Sequence, residues 1–74
     1  MVSLSKRLNA VASLVESGSS VADVGTDHGY IPVYLVENKI SPLVVAMDIN
    51  EKPLASCKSL VKNEGFENVI LTRL

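Results

Sequence analysis

One acidic residue precedes a glycine-rich loop, and a second acidic residue lies within it. The stretch VADVGTDHGY at positions 21–30 contains Asp23 and Asp27 together with Gly25 and Gly29. Loops that bind dinucleotides follow the pattern G-x-G-x-x-G, and their backbone approaches a pyrophosphate at a helix N-terminus. Here Asp27 takes the place of the middle glycine, and a carboxylate at that position would repel two phosphates. The loop therefore favours a ligand that carries positive charge.

S-adenosyl-L-methionine has the required charge, because it carries a sulfonium and an α-ammonium and no phosphate. The acidic-x-Gly-x-Gly-x-Gly spacing of class I methyltransferases resembles Asp23, Gly25, Asp27 and Gly29 with one substitution. Asp48 follows near the offset of about 20 residues at which an acidic side chain reaches ribose hydroxyls. Such a carboxylate suits a nicotinamide dinucleotide equally well, so it does not choose between the cofactors. The structural alternative for the glycines is a plain tight turn, and for Asp48 it is an Asx turn at the end of a strand.

Four further side chains could take part in chemistry. His28, the single histidine, could act as a base, contact a substrate or cap a helix, but without Cys or His partners it predicts no metal site. Arg7 could contact a phosphate or a substrate, or lie in solvent. Tyr30 is near enough to the loop to offer a stacking surface, with core packing as the alternative. The single Cys57 predicts a buried, unreactive thiol.

Composition limits the classes of protein to consider. The chain has 74 residues, of which 47% are hydrophobic and 20% charged, with a net charge of −1. It is long enough for one small domain or part of a larger one. Its composition is not that of a disordered chain, and its charge balance predicts no strong electrostatic steering toward RNA or DNA. It has no apolar run of about 20 residues and no signal peptide, so we expect a cytoplasmic protein with no membrane partner. Its oligomeric state is not predicted.

The helices and strands that must position these residues are predicted from the spacing of apolar residues and from capping residues and glycines. Leucines and valines at helical spacing predict a helix over residues 4–17, with Ser3 or Ser5 as N-cap and Gly18 at its end. The remaining segments alternate strand and helix, with Asn50 as the predicted cap of the last helix and Gly65 at its end. In chain order, the alternating strand and helix segments are SVADV, YIPVYLVENK, PLVVAMD, EKPLASCKSLVKN and ENVILTRL.

The order helix-β-α-β-α-β predicts an α/β fold. Right-handed crossovers place the strands in one parallel sheet of order 3-2-1, which is the N-terminal half of a Rossmann-like, doubly wound fold. Ligands of such sheets bind beyond the carboxyl ends of the strands, where the loop at 25–29 lies. We expect residues 1–74 to be part of one domain, with the cofactor-binding half at 20–74, and the chain alone to be inactive.

Two segments together resemble a specific family. LSKRLNAVASLV and ADVGTDHGYIP resemble the L-S-x-R-L helix and the D-[IV]-G-[ST]-D-H-[AG]-Y-[LI]-P loop of the tRNA (adenine(22)-N(1))-methyltransferase family. The resemblance extends from Leu4 to about Leu74. Many members have Ala, Glu and Gly where this chain has Gly29, Asp48 and Lys52.

The resemblance implies a class I methyltransferase that transfers a methyl group from S-adenosyl-L-methionine to N1 of an adenine in tRNA. That atom lies on the Watson–Crick edge, so the base must be unpaired or extruded. Catalysis would depend on proximity and in-line orientation. The family's G-M-G-G catalytic loop and helical C-terminal domain are expected to be missing. By the same resemblance, Arg7 and His28 face the adenine, and the cofactor contacts Asp23, Gly25, Thr26, Asp27, Gly29, Asp48 and Ile49.

Two other functions remain open at this point. The chain could be the NAD(P)-binding half of an oxidoreductase, which Asp27 and the altered glycine spacing disfavour. It could also be a non-catalytic nucleotide-binding module.

Overall fold

A computed structural model describes residues 3–74 as three helices and three strands that alternate after the first helix. The elements are α1 (Lys6–Ala12), β1 (Val21–Val24), α2 (Tyr30–Glu37), β2 (Val44–Met47), α3 (Glu51–Asn63) and β3 (Ile70–Arg73). None of the helices in this described part is long and apolar enough to cross a membrane.

The strands form one parallel sheet in the order β1-β2-β3, which confirms the predicted order. Val21 is opposite Val44, and Val44 is opposite Ile70. Since all strands run in the same direction, the loops after β1 and β2 emerge at the same edge of the sheet. This register brings residues 25–29 next to residues 48–50.

The hydrophobic core lies between the sheet and α2 and α3. Alternate residues of a strand point to opposite faces, and only one face of this sheet is packed, as the burial of Val44 and Ala46 and the 79% exposure of Val24 show. Helix α1 contacts α2 and contributes a single fully buried residue. The core residues are Ala12, Val33, Leu35, Val44, Ala46, Leu54, Cys57, Val61 and Ile70.

The first helix is shorter than the predicted 4–17. Ser5 is the N-cap and its hydroxyl accepts the N–H of Leu8 at 3.3 Å, as predicted. At the other end the Ser13 hydroxyl donates to the Ala10 carbonyl at 2.6 Å, and the N–H of Leu14 bonds to Val11 instead. A serine side chain that takes a helix carbonyl in this way competes with the next helical bond. The helix therefore ends at Ala12, well before Gly18.

The last helix follows its prediction more closely. It covers the predicted residues Glu51–Asn63, and Gly65 comes two residues later with a φ of +78°, as expected for a glycine that ends a helix. Asn50 is at the N-cap, but its side chain makes no capping bond within the described chain. Its backbone N–H donates to a carboxylate oxygen of Asp48 at 2.9 Å, so Asp48 fixes the start of this helix.

Candidate functional site

The loop between β1 and α2 has an unusual backbone. Gly25, Asp27 and Gly29 all have positive φ, at 74°, 59° and 84°. Two of these are glycines, which adopt such angles without a steric penalty. Asp27 has a Cβ, and although Asp adopts the left-handed region more often than most residues, it does so only where local hydrogen bonds favour it. The surrounding structure must therefore hold Asp27 in place.

Asp48, directly after β2, provides that support. Its Oδ2 accepts the N–H of Asp27 at 3.0 Å, and its Oδ1 accepts the N–H of Asn50 at 2.9 Å. The bonds from Asn50 and Asp27 lower the pKa of the Asp48 carboxyl below its ordinary value, while burial acts in the opposite direction. One ionised carboxylate therefore ties the loop after β1 to the loop after β2.

Asp23, at the end of β1, is held in a different way. Its Oδ2 accepts one bond, from the Thr26 hydroxyl at 2.9 Å. Burial raises the pKa of Asp23 above its ordinary value, and the Thr26 bond only partly offsets this. The Thr26 side chain is buried. The backbone N–H of Thr26 donates to the Met47 carbonyl at 2.8 Å, which extends the hydrogen bonding between β1 and β2 by one residue pair.

A polar cleft of about 240 Å³ opens between this loop and α1. It contains two carboxylates, the cationic Arg7 and the rings of His28 and Tyr30. The centroids of His28 and Tyr30 are 6.0 Å apart with a tilt of 41°, and the His28 Nε2 lies 3.8 Å from an oxygen of Asp27. The lining residues are Arg7, Leu8, Asp23, Gly25, Thr26, Asp27, His28, Tyr30 and Ile31.

An apolar cleft of about 300 Å³ lies at the same edge of the sheet, beside β2. Its most exposed member is Ile49, at 90%, and the neighbouring Asp48 is its one charged side chain. Gly25 lines both clefts, so a ligand that crosses Gly25 could occupy the two together. The lining residues are Val24, Gly25, Met47, Asp48, Ile49 and Leu74.

The structure thus brings most of the predicted site residues into two adjacent clefts. Arg7 and His28 join the loop residues in the polar cleft, while Asp48 and Ile49 lie in the apolar cleft. Gly29 lines neither one, because it is packed against Cys57 behind the loop. Cys57 is buried, which confirms that part of its prediction.

Sequence reasoning found Ile49 but missed other apolar members of the two clefts. Leu8 and Ile31 look like ordinary core positions of α1 and α2, and Leu74 looks like the end of a strand. The sequence could have indicated Leu74, because it follows the third strand, and the carboxyl ends of neighbouring parallel strands lie at the same edge of the sheet. Within residues 3–74 no group of three or more His, Cys, Asp or Glu side chains is arranged to hold a metal ion.

Comparisons with known proteins agree with this geometry. Residues 4–74 match the family described as methyltransferase domain. Over 70 residues the chain is 39% identical to the tRNA (adenine(22)-N(1))-methyltransferase of Bacillus subtilis (strain 168), covering 95% of this chain and 29% of the relative.

Solved structures give the same result. M. capricolum TrmK in complex with S-adenosyl-homocysteine is 45% identical with a TM-score of 0.91, over 96% of this chain and 31% of that one. A Streptococcus pneumoniae protein in complex with S-adenosyl-L-methionine is 39% identical with a TM-score of 0.91, over 100% of this chain and 34% of that one. The chain thus spans about a third of the length of these relatives.

Proposed function

Since the chain belongs to the methyltransferase domain family, we propose that its two clefts bind S-adenosyl-L-methionine. We further propose that the protein transfers the methyl group to N1 of an adenine in tRNA. The relatives named above include a tRNA (adenine(22)-N(1))-methyltransferase and proteins in complex with this cofactor or its product. Because the chain spans about a third of their length, the activity and the tRNA partner belong to the proposal.

The hydrogen-bond partners of the loop's backbone N–H groups support this choice of cofactor. A dinucleotide site directs such groups at the pyrophosphate. Here the N–H groups of Thr26, Asp27 and Gly29 donate to Met47, Asp48 and Thr26 respectively. The side that faces the polar cleft presents carboxylates instead. This arrangement favours a cation over a phosphate, and so favours S-adenosyl-L-methionine over NAD(P).

The two clefts suit the two ends of the cofactor. Asp23 and Asp27 would face the sulfonium and the α-ammonium in the polar cleft. The adenosine would lie over Gly25 in the apolar cleft, against the exposed Ile49 side chain. An ionised carboxylate has about four acceptor sites, and backbone N–H groups fill two of those on Asp48. An acceptor site left over on Asp48 would accept a ribose hydroxyl.

The bound cofactor supplies an electrophilic methyl group on sulfur. The lone pair of adenine N1 would form the new N–C bond, and the electrons of the S–C bond would stay on sulfur. Arg7, His28 and Tyr30, which line the polar cleft, would position the base, with the His28–Tyr30 ring pair as a stacking surface. The Asp27 carboxylate would stabilise the positive charge that passes to the methylated adenine.

Calorimetric titration of the chain tests the cofactor. We expect binding of S-adenosyl-L-methionine and S-adenosyl-homocysteine and much weaker binding of NAD. Tighter binding of NAD would contradict the proposal and support the oxidoreductase alternative. Transfer of tritium from methyl-labelled cofactor to unmodified tRNA, assayed with the protein that contains this domain, tests the substrate.

A further inference from the structure

Gly29 and Cys57 contact each other, and neither residue lines either of the two clefts. Gly29 is buried at the N-cap of α2, and Cys57 is fully buried in α3. A Cβ atom placed on Gly29 would lie 2.5 Å from the Cys57 sulfur, 3.1 Å from its Cβ and 3.2 Å from its Cα. Cβ atoms in proteins essentially never approach a neighbouring heavy atom within 3.0 Å, so Cys57 would have to shift. The end of the loop therefore rests directly on α3.

The same cysteine also lies near the carboxylates of the site. Burial raises the pKa of the Cys57 thiol, a hydrogen bond with Thr26 opposes the rise, and the nearby carboxylates of Asp23 and Asp48 add to it. Thr26 in turn donates to Asp23 at 2.9 Å.

We infer that Gly29 and Cys57 are a packing pair that sets the position of the loop at 25–29 relative to α3. Cys57 is then a positioning residue, which acts on the ligand through Gly29. That the ligand is S-adenosyl-L-methionine rests on the proposed function. The pairing itself rests on the contact between the two residues.

A cycle of substitutions separates this contact from backbone strain. Gly65 has a φ of +78°, and a Cβ atom placed on it would meet nothing within 4 Å, so Gly65→Ala introduces strain alone. We expect it to lower the melting temperature by about 5 °C, and Gly29→Ala to lower it by about twice as much. Cys57→Ala alone should lower it by a few degrees because a cavity remains.

The double variant Gly29→Ala/Cys57→Ala decides whether the two residues are coupled. We expect it to melt about 5 °C above Gly29→Ala, since removal of the sulfur relieves the closest contact. Adding Cys57→Ala to Gly65→Ala should lower the melting temperature further. If Cys57→Ala is destabilising by the same amount in all three backgrounds, the packing pair is contradicted.

Thiol labelling of the unsubstituted chain tests the positioning role even if Gly29→Ala fails to fold. The chain has one cysteine, so the reaction with a disulfide reagent such as DTNB reports on Cys57 alone. We expect labelling to be about a hundredfold slower than in denaturant, since the loop must open first. S-adenosyl-homocysteine at ten times its Kd should slow it roughly a further tenfold. Gly29→Ala should label faster than Gly65→Ala.

The outcomes distinguish this inference from the proposed function. If calorimetry shows that S-adenosyl-homocysteine binds but labelling is not slowed, the positioning role is wrong and the cofactor proposal stands. If the unsubstituted chain binds no S-adenosyl-homocysteine while the cycle shows coupling, the cofactor proposal fails and the packing pair stands. Labelling as fast as in denaturant contradicts the inference directly.

Discussion

The ends of β1 and β2 each present an aspartate at the edge of the sheet, and the two are held in opposite ways. Asp48 accepts two backbone N–H groups, and its pKa lies below the ordinary value. Asp23 accepts one hydroxyl, and burial raises its pKa. Protein groups thus satisfy the charge of Asp48 and leave much of the charge of Asp23 uncompensated.

This difference separates support from recognition. A carboxylate that is desolvated without enough donors destabilises the folded chain unless a ligand supplies the missing positive charge. Asp23 lies in the polar cleft, where the cationic end of the cofactor is proposed to bind. Asp48 holds the loop in the shape that the cofactor requires. Substitution of each aspartate by asparagine should therefore have opposite effects on stability.

Asp48→Asn should have the largest effect. An amide group has one acceptor oxygen, so one of the N–H groups of Asp27 and Asn50 would face the NH₂ group of the new side chain. We expect the melting temperature to fall by about 5–10 °C and the affinity for S-adenosyl-homocysteine to fall at least about thirtyfold, measured by calorimetry. Glu67→Gln, which changes an exposed carboxylate elsewhere, is the matched control and should change neither.

Asp23→Asn should affect binding and leave folding intact. The amide oxygen can still accept the Thr26 hydroxyl, and the cost of burying a charge is removed. We expect the melting temperature to stay the same or rise, while the affinity for S-adenosyl-L-methionine falls about tenfold. If thermal unfolding shows a clear loss of stability for this variant, Asp23 is a structural residue like Asp48 and the comparison fails.

The pH dependence should show the same contrast with smaller effects. The folded-state pKa of Asp48 is lowered, so the stability it contributes is present above its ordinary pKa of about 4 and is lost as the pH falls. The folded-state pKa of Asp23 is raised, so its contribution is present below about pH 4 and is lost as the pH rises through its folded-state pKa.

Melting curves between pH 3 and pH 7 measure both contributions. The deficit of Asp48→Asn should be greatest at pH 7 and should shrink toward pH 3. The gain of Asp23→Asn over the unsubstituted chain should also be greatest at neutral pH, by about 2–3 °C. Differences that do not change with pH would show that ionisation of these two groups contributes nothing to folding.

Local sequence patterns were sufficient to predict the element order and the position of the loop. Alternating apolar segments and the right-handed crossover rule determine the strand order, and that order brings Gly25 close to Asp48. The end of α1 was not predictable in this way, because it depends on whether the Ser13 hydroxyl or the Leu14 N–H takes the Ala10 carbonyl.

The finer organisation of the site depends on contacts between segments that are distant in the sequence. The sequence contains Asp23 and Asp48 as two similar acidic residues, and only the number of donors near each one distinguishes their roles. The contact between Gly29 and Cys57 joins residues far apart in the chain, and its tightness depends on how closely α3 packs against the loop.

The affinities of Asp27→Asn for two ligands test the central claim most directly. S-adenosyl-L-methionine and S-adenosyl-homocysteine share the amino-acid group and differ by the methyl and the positive charge on sulfur. The Asp27 side chain is 71% exposed, so solvent screens its charge and a partner gains up to about 1 kcal/mol. Calorimetry should show that this variant loses about threefold more affinity for S-adenosyl-L-methionine than for S-adenosyl-homocysteine. Equal losses for the two ligands would contradict the claim that the loop recognises a sulfonium.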